Sequence, residues 1–175
     1  SFVSFSVFIA TQKGTFKVEK SKLIKTTRAN AFGYVNDFQN WEDFMAFMVE
    51  DATTRTHYPK TTIGKGAKCM WEGIDGNGTV QTFSVKENDS ITQKMNWDGT
   101  EFNTTWVFKD TLGGTKVTLK SSGEMSFSYK IYTALHGGAN RIIGGLFEKS
   151  LANLDKSLDY EINTYQIKVN GLVQK

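Results

Sequence analysis

ANRIIGGLFEKSLANLDKSLDYEI, residues 139–162, is the stretch whose reading decides the architecture. Ile142, Ile143, Leu146, Phe147, Leu151, Leu154 and Leu158 recur at helical spacing. Arg141, Glu148, Lys149, Asn153, Lys156 and Asp159 fall mostly on the other side. That pattern predicts one long amphipathic helix with a single apolar stripe that something must cover. Gly144-Gly145 within it marks a kink or a close approach by a neighbour.

Working back toward the N-terminus, turn signals divide the chain at Gly113-Gly114, Asp98-Gly99, Asn88-Asp89-Ser90, Asp75-Gly76-Asn77-Gly78 and Gly64-Lys65-Gly66. The Asp75–Gly78 run is the strongest hairpin signal, because Gly and Asn tolerate the positive φ of primed turns. Between the turns, Ile91, Gln93, Met95 and Trp97 share one face of a strand. Thr104, Trp106 and Phe108 share another, and Thr115, Val117 and Leu119 a third, with Lys116, Thr118 and Lys120 alternating against that last set. This is the pattern of an antiparallel meander with one wet face. Thr15–Ile24 reads as a first strand, with Lys20 and Lys22 interrupting Phe16, Val18 and Ile24. Asn30–Phe38 and Trp41–Val49 read as two short helices, the second capped by Asn40. Tyr129–Leu135 reads as a short apolar turn or helix broken by Gly137-Gly138, and Tyr165–Val169 as a strand-like tail. The expected fold class is α+β. A curved antiparallel sheet of six to seven strands wraps around the C-terminal helix, because no other element could cover the sheet's dry face.

Particular runs add a resemblance. Ile24–Phe32 (IKTTRANAF) followed by Tyr34-Val35-Asn36-Asp37-Phe38-Gln39-Asn40-Trp41 resembles the opening segment of the SRPBCC superfamily, also called START-like or polyketide-cyclase-like, in its bacterial form. Gly113-Gly114-Thr115-Lys116-Val117-Thr118 resembles that superfamily's penultimate strand, and the long terminal helix completes the likeness over Thr15–Ile162. Thr27 stands where the superfamily often has proline, and Phe44 where a second tryptophan is common. The resemblance implies a helix-grip domain over residues 14–163, holding an apolar or amphipathic small molecule between sheet and helix. It equally admits a cyclase or dehydratase, or a protein-interaction module of the Hsp90-activator type. The tail, residues 164–175, resembles the end of a subgroup in which an effector-binding domain follows.

Composition limits the alternatives. The formal charge is +3 and the lysines are dispersed, which argues against a nucleic-acid surface. One cysteine, Cys69, forms no intrachain disulfide and no metal cluster, and neither a metal nor another cofactor is expected. Residues 1–13 begin with ten uncharged, apolar positions, Ser1–Ala10 (SFVSFSVFIA), too few to span a bilayer. They read either as an edge strand or lead-in, or as the end of a signal or anchor segment. The location is left open between cytoplasmic and membrane-tethered, and a bacterial source is what the resemblance implies.

No nucleophile elbow, phosphate loop or carboxylate pair stands out, so no catalytic residue is assigned. Aspartates 75, 98 and 110 fall at turns, and His57 lies in a polar stretch. The candidate cavity residues are the wide-bodied set Trp41, Phe44, Met70, Trp71, Phe83, Met95, Trp97, Trp106, Met125, Phe127 and Tyr132, with Leu146 from the helix. Bulky aromatics with adaptable methionines are what apolar pockets use. Glu72, Glu124 and His136 are the candidate polar anchors, and with Tyr132 they are the groups an enzyme would need to turn inward.

Overall fold

Apolar alternation and turn chemistry produce the expected order of elements. The computed structural model describes residues 14–173, with side chains described as far as Tyr160. Strand β1 (Thr15–Ile24) leads to α1 (Arg28–Asn36), a 3-10 turn (Phe38–Asn40), and the short helices α2 (Trp41–Phe44) and α3 (Ala46–Val49). Strands β2 (Arg55–His57), β3 (Lys68–Glu72), β4 (Gly78–Lys86), β5 (Ser90–Trp97), β6 (Thr100–Thr111) and β7 (Gly114–Glu124) follow. Helices α4 (Phe127–Leu135) and α5 (Ala139–Val173) close the chain. The strands form one curved antiparallel sheet in the order β1-β7-β6-β5-β4-β3-β2, so the first strand returns beside the last. The architecture is a helix grip, with α5 along the concave face.

Four local readings differ in detail. Asp98-Gly99, not Asp75–Gly78, makes the tight two-residue turn, with φ of 46° and 85° at its two centres. The Gly73–Asn77 connection is longer. The first helix starts at Arg28 because Thr27 caps it, its side chain accepting from the Asn30 N–H. Asn40 does not cap α2 through its side chain; its Nδ2 donates to the Tyr34 carbonyl instead. The tail is helical, since α5 runs to Val173. Ile162, Tyr165, Val169 and Leu172 are spaced by three and four, so the helical period continues through a segment whose local alternation also fits a strand.

The break between α2 and α3 explains one polar face of α5. Met45 is extended (φ −66°, ψ 117°), which leaves backbone groups on both sides without helical partners. Helix α5 supplies them. Ser150 Oγ accepts from the Ala46 N–H at 2.9 Å, and Asn153 Nδ2 donates to the Phe44 carbonyl at 3.3 Å. Ser157 Oγ donates to the Asp43 carbonyl at 3.4 Å. On the other side, Lys20 and Lys22 of β1 stand opposite Leu119 and Val117, in the inward-facing register. Their stems line the sheet edge while their ammonium groups pair with Glu148 and Asp155 of α5. Gly144 permits this approach, because a Cβ there would lie 3.0 Å from Lys20 Cε.

One buried carboxylate ties the loop before β2 to the β3–β4 connection. Asp51 accepts from the Thr53 N–H (2.8 Å), the Thr53 hydroxyl (2.5 Å) and the Asp75 N–H (3.3 Å). The Thr53 hydroxyl, above all, holds the carboxyl below its ordinary value of 3.8. A folded-state pKa below the unfolded one gives stability that is present above the ordinary carboxylate range and lost as pH falls through the folded value. Asp51→Asn should therefore lower the urea midpoint at pH 7, and the difference should shrink as pH falls below about 4. An undiminished difference at low pH would show that the charge is not what matters there.

Candidate functional site

The strand register sorts the concave face into transverse rows. Thr82, Gln93, Thr104 and Ser121 stand opposite one another on β4, β5, β6 and β7, and the row ends at Val18 of β1. All four polar side chains are buried. On one side lies Val85, Ile91, Trp106 and Leu119; on the other lies Val80, Met95, Phe102, Gly123 and Phe16. A polar ribbon thus crosses an otherwise apolar floor, and most of it is hydrogen-bonded, as burial demands. Trp106 Nε1 donates to Gln93 Oε1 at 3.2 Å, Gln93 Nε2 donates to Thr82 Oγ1 at 3.3 Å, and Ser121 Oγ donates to the Asn103 carbonyl at 3.1 Å. Thr104 Oγ1 has no partner, and neither has Trp71 Nε1 two rows away.

Two ends of the cup differ. At the end closed by α1 and α2, aromatic rings fill the interior. Trp41 lies 6.2 Å from Trp106, Phe44 lies 6.0 Å from Trp106, and Phe38 lies 4.8 Å from Trp41. At the opposite end, Phe47, Trp71 and Trp97 form a triangle with centroid separations of 4.8 to 5.6 Å. Here Trp97, Phe102, Met125 and Tyr129 are only partly buried against the core. This is the mouth. Gly78 is required beneath it, because a Cβ would come 2.2 Å from the Trp71 ring. A depression of about 920 Å³ is bordered by the mouth residues Thr100, Phe102 and Met125 and by Phe83, Lys94 and Asn103 of the convex face. Another, of about 470 Å³, lies on the convex face between Arg55, His57, Met70 and Asn96.

The candidate residues are therefore divided. Trp41, Phe44 and Trp106 belong to the packed end, and Trp71, Met95, Trp97 and Met125 to the mouth. Met70 and Phe83 face the convex side, Phe83 as the extra residue of a bulge between Thr82 and Ser84. Phe127 and Tyr132 lie on the exposed face of α4, and Leu146 is half-buried on α5. Glu72, opposite Arg55, and Glu124, opposite Thr15, point away from the cup. His136 is exposed at the end of α4, its Nδ1 2.8 Å from the Tyr132 carbonyl and its ring stacked on Tyr132 at 4.3 Å. The polar ribbon and the mouth residues Phe47, Phe102 and Tyr129 were not among the candidates. Gln93 carried a signal, since it interrupts an apolar alternation at a position where burial was expected.

Chemically, the floor offers apolar surface with neutral amide, hydroxyl and indole groups. Concave positions 91, 93, 95 and 97 of β5 and 102, 104, 106 and 108 of β6 hold no carboxylate or imidazole. Burial pushes the Cys69 thiol up to about 12, which leaves it protonated and unreactive. Burial likewise raises the Tyr58 and Tyr129 phenols above their ordinary value. Among the described residues no cluster of His, Cys, Asp or Glu could hold a metal, and no helix is long and apolar enough to cross a membrane.

Residues 15–159 match the family described as polyketide cyclase/dehydrase and lipid transport. The chain belongs to this family. Its polyketide-cyclase fold of the SRPBCC type recurs in solved structures. A Staphylococcus aureus protein of unknown function superposes with a TM-score of 0.66 at 12% identity, over 85% of this chain and 96% of that one. A Mesorhizobium loti protein gives 0.60 at 16%, over 83% and 98%. DynU16, from the dynemicin biosynthetic locus, gives 0.60 at 12%, over 82% of this polyketide-cyclase-family chain and 47% of its own. At such identities the likeness is one of fold. Comparison with curated protein sequences returned no match.

Proposed function

We propose that this domain binds a hydrophobic or amphipathic small molecule, a lipid or an aromatic metabolite, between α5 and the mouth end of the concave face, without catalysing its conversion. The observation that carries this reading is the Thr104 hydroxyl. It is buried in the polar ribbon, beside apolar rows, with no hydrogen-bond partner. Leaving such a group unpaired costs about 1–3 kcal/mol, so a ligand oxygen that pairs with it recovers a real deficit. Membership of a family whose description includes lipid transport supports the apolar class, and the partly exposed Trp97, Phe102 and Met125 supply walls for it. The cyclase or dehydratase reading has less support, because Glu72, Glu124, Tyr132 and His136 all lie outside the cup.

Thermal midpoints against long-chain fatty acids and polycyclic aromatic polyketides test the proposal. A ligand at about 100 times its Kd should stabilise the fold by about 2.7 kcal/mol. Thr104→Val keeps the shape and removes the hydroxyl. It should leave the unliganded protein at least as stable, while weakening ligands with a hydroxyl or carbonyl by about five- to tenfold. Pure hydrocarbons should bind both proteins equally. A panel without any shift would overturn the proposal.

A further inference from the structure

Among the described residues, three buried side-chain atoms lack a hydrogen-bond partner: Thr104 Oγ1, Trp71 Nε1 and Asn36 Oδ1. Asn36 ends α1, outside the sheet. The other two belong to the concave face, and the fold treats its two fully buried indoles differently. Trp41 Nε1 donates to the Val35 carbonyl at 3.0 Å, and Trp106 Nε1 to Gln93 Oε1 at 3.2 Å. Trp71 is nearly as enclosed, at 2% exposure. Its ring is held between Phe47 at 4.9 Å and Trp97 at 5.6 Å, and it lies so close over Gly78 that no Cβ fits there. The ring has no room to swing its N–H out to water, so the unpaired donor persists in the unliganded protein.

Strand register sets how far apart the two atoms are. Trp71, Gly78, Trp97 and Thr100 form one transverse row from β3 to β6. Thr104 stands four residues beyond Thr100 on β6, roughly 13 Å along the strand. The Trp71 ring reaches over β4, two strands or roughly 10 Å from β6. Allowing for the curvature of the sheet, the two unpaired atoms are about 15 Å apart across the floor. Between them runs the row Val80, Met95 and Phe102, which carries no polar side chain. The two ends ask for different partners. An indole N–H only donates, so it needs an acceptor, whereas a threonine hydroxyl pairs with either kind of group.

We infer that the ligand of the cup is a long-chain acyl molecule oxygenated at both ends, with one oxygen on the Thr104 hydroxyl and the other accepting from Trp71 Nε1. The inference rests on the cup-binding reading and narrows its ligand class. A fused polyketide carries oxygens at short intervals along its body. Some of them would be buried against Val80, Met95 and Phe102, where an unpaired polar group is costly. An unsubstituted fatty acid pairs with one of the two atoms and leaves the other as it was. An ω-hydroxy or ω-oxo acyl chain has the required order of oxygen, apolar span and oxygen. Its far oxygen lies in the triangle of Phe47, Trp71 and Trp97, so these rings select the end of the chain as well as walling the mouth.

Titration of the full chain with dodecanoic acid and ω-hydroxydodecanoic acid tests this. The hydroxylated acid should bind about tenfold tighter, although its extra hydroxyl favours water. Trp71→Phe should abolish that ratio. Trp97→Phe trims the same triangle without touching an unpaired atom, and should keep it. Thr104→Val should weaken both acids and leave their ratio unchanged. ω-Hydroxyoctanoic acid, too short to span the two atoms, should gain nothing over octanoic acid. A second measurement needs no variant at the mouth. In the parent protein the Trp71 indole N–H resonance should move downfield with ω-hydroxydodecanoic acid and not with dodecanoic acid. Equal affinities for the two longer acids, a ratio that survives Trp71→Phe, or an indole resonance that stays in place would each overturn the inference and leave the cup-binding reading standing. If no fatty acid and no polyketide binds at all, both fall together.

Discussion

Trp106→Ala is expected to destabilise the fold by about 3–5 kcal/mol, the largest loss from any single truncation in this domain. Trp106 is fully buried and sits where the sheet, α2 and the polar ribbon converge. Its ring meets Trp41 and Phe44 edge-on, and its Nε1 holds the Gln93 side chain. Truncation therefore opens a large void in a region anchored on three sides, and removes the donor to a buried carbonyl as well. The surroundings cannot collapse into the space, because Trp41 is itself fixed by its Nε1 bond to the Val35 carbonyl at 3.0 Å. Domains of this kind have only about 5–15 kcal/mol of stability in total, so the variant should sit near its unfolding threshold at 37 °C. Urea unfolding would measure the loss, with Trp97→Ala as the comparison. Trp97 is only partly buried at the mouth, and its removal should cost distinctly less. Equal losses at the two positions would contradict the division into a packed end and an open one.

That division was hidden in the sequence, although the fold was not. The helical stripe from Ile142 to Leu158, the alternation of Ile91–Trp97 and the Gly113-Gly114 turn each depend on local periodicity, and local periodicity is what a sequence displays. Side-chain direction was legible only where no irregularity intervened. Phe83 looked like a concave residue, yet the bulge after Thr82 turns it out. Met70 and Trp71 are adjacent in the chain and necessarily face opposite ways, so only one of them can line the concave face. The long-range rows were illegible, because Thr82, Gln93, Thr104 and Ser121 come together only through registers set between separate strands. The lysines of β1 had a similar ambiguity. They resembled solvent-facing interruptions, but Lys20 and Lys22 point toward α5 and meet carboxylates there. The helical tail is ambiguous in sequence for a simpler reason, since a five-residue alternation fits a strand and a helix equally well.

Gln93→Leu should cost about 1–3 kcal/mol despite exchanging a buried amide for an apolar side chain of similar size. The loss comes from what is left behind. Trp106 Nε1 and Thr82 Oγ1 would both lose their partner in a dry interior. Combining Gln93→Leu with Trp106→Phe removes the amide and the indole N–H together, and the pair should be much less destabilising than the sum of the singles. A double-mutant cycle in urea would then give a coupling of about 1–2 kcal/mol, whereas strict additivity would mean that the hydrogen bond contributes nothing. The cycle also separates two reasons for having a polar ribbon at all. If the ribbon served stability, the apolar pair would be weaker than the parent by clearly more than the void left by the smaller ring costs. If the pair is nearly as stable, the amide and hydroxyls on that floor are not there for the fold. Buried polar groups that an apolar core could replace, one of them unpaired, are then best explained by something that enters the cup with oxygens of its own. Because Thr104 is retained, the same double variant should lose part, not all, of the discrimination between a fatty acid and its hydrocarbon analogue, whereas a purely structural ribbon would leave it unchanged.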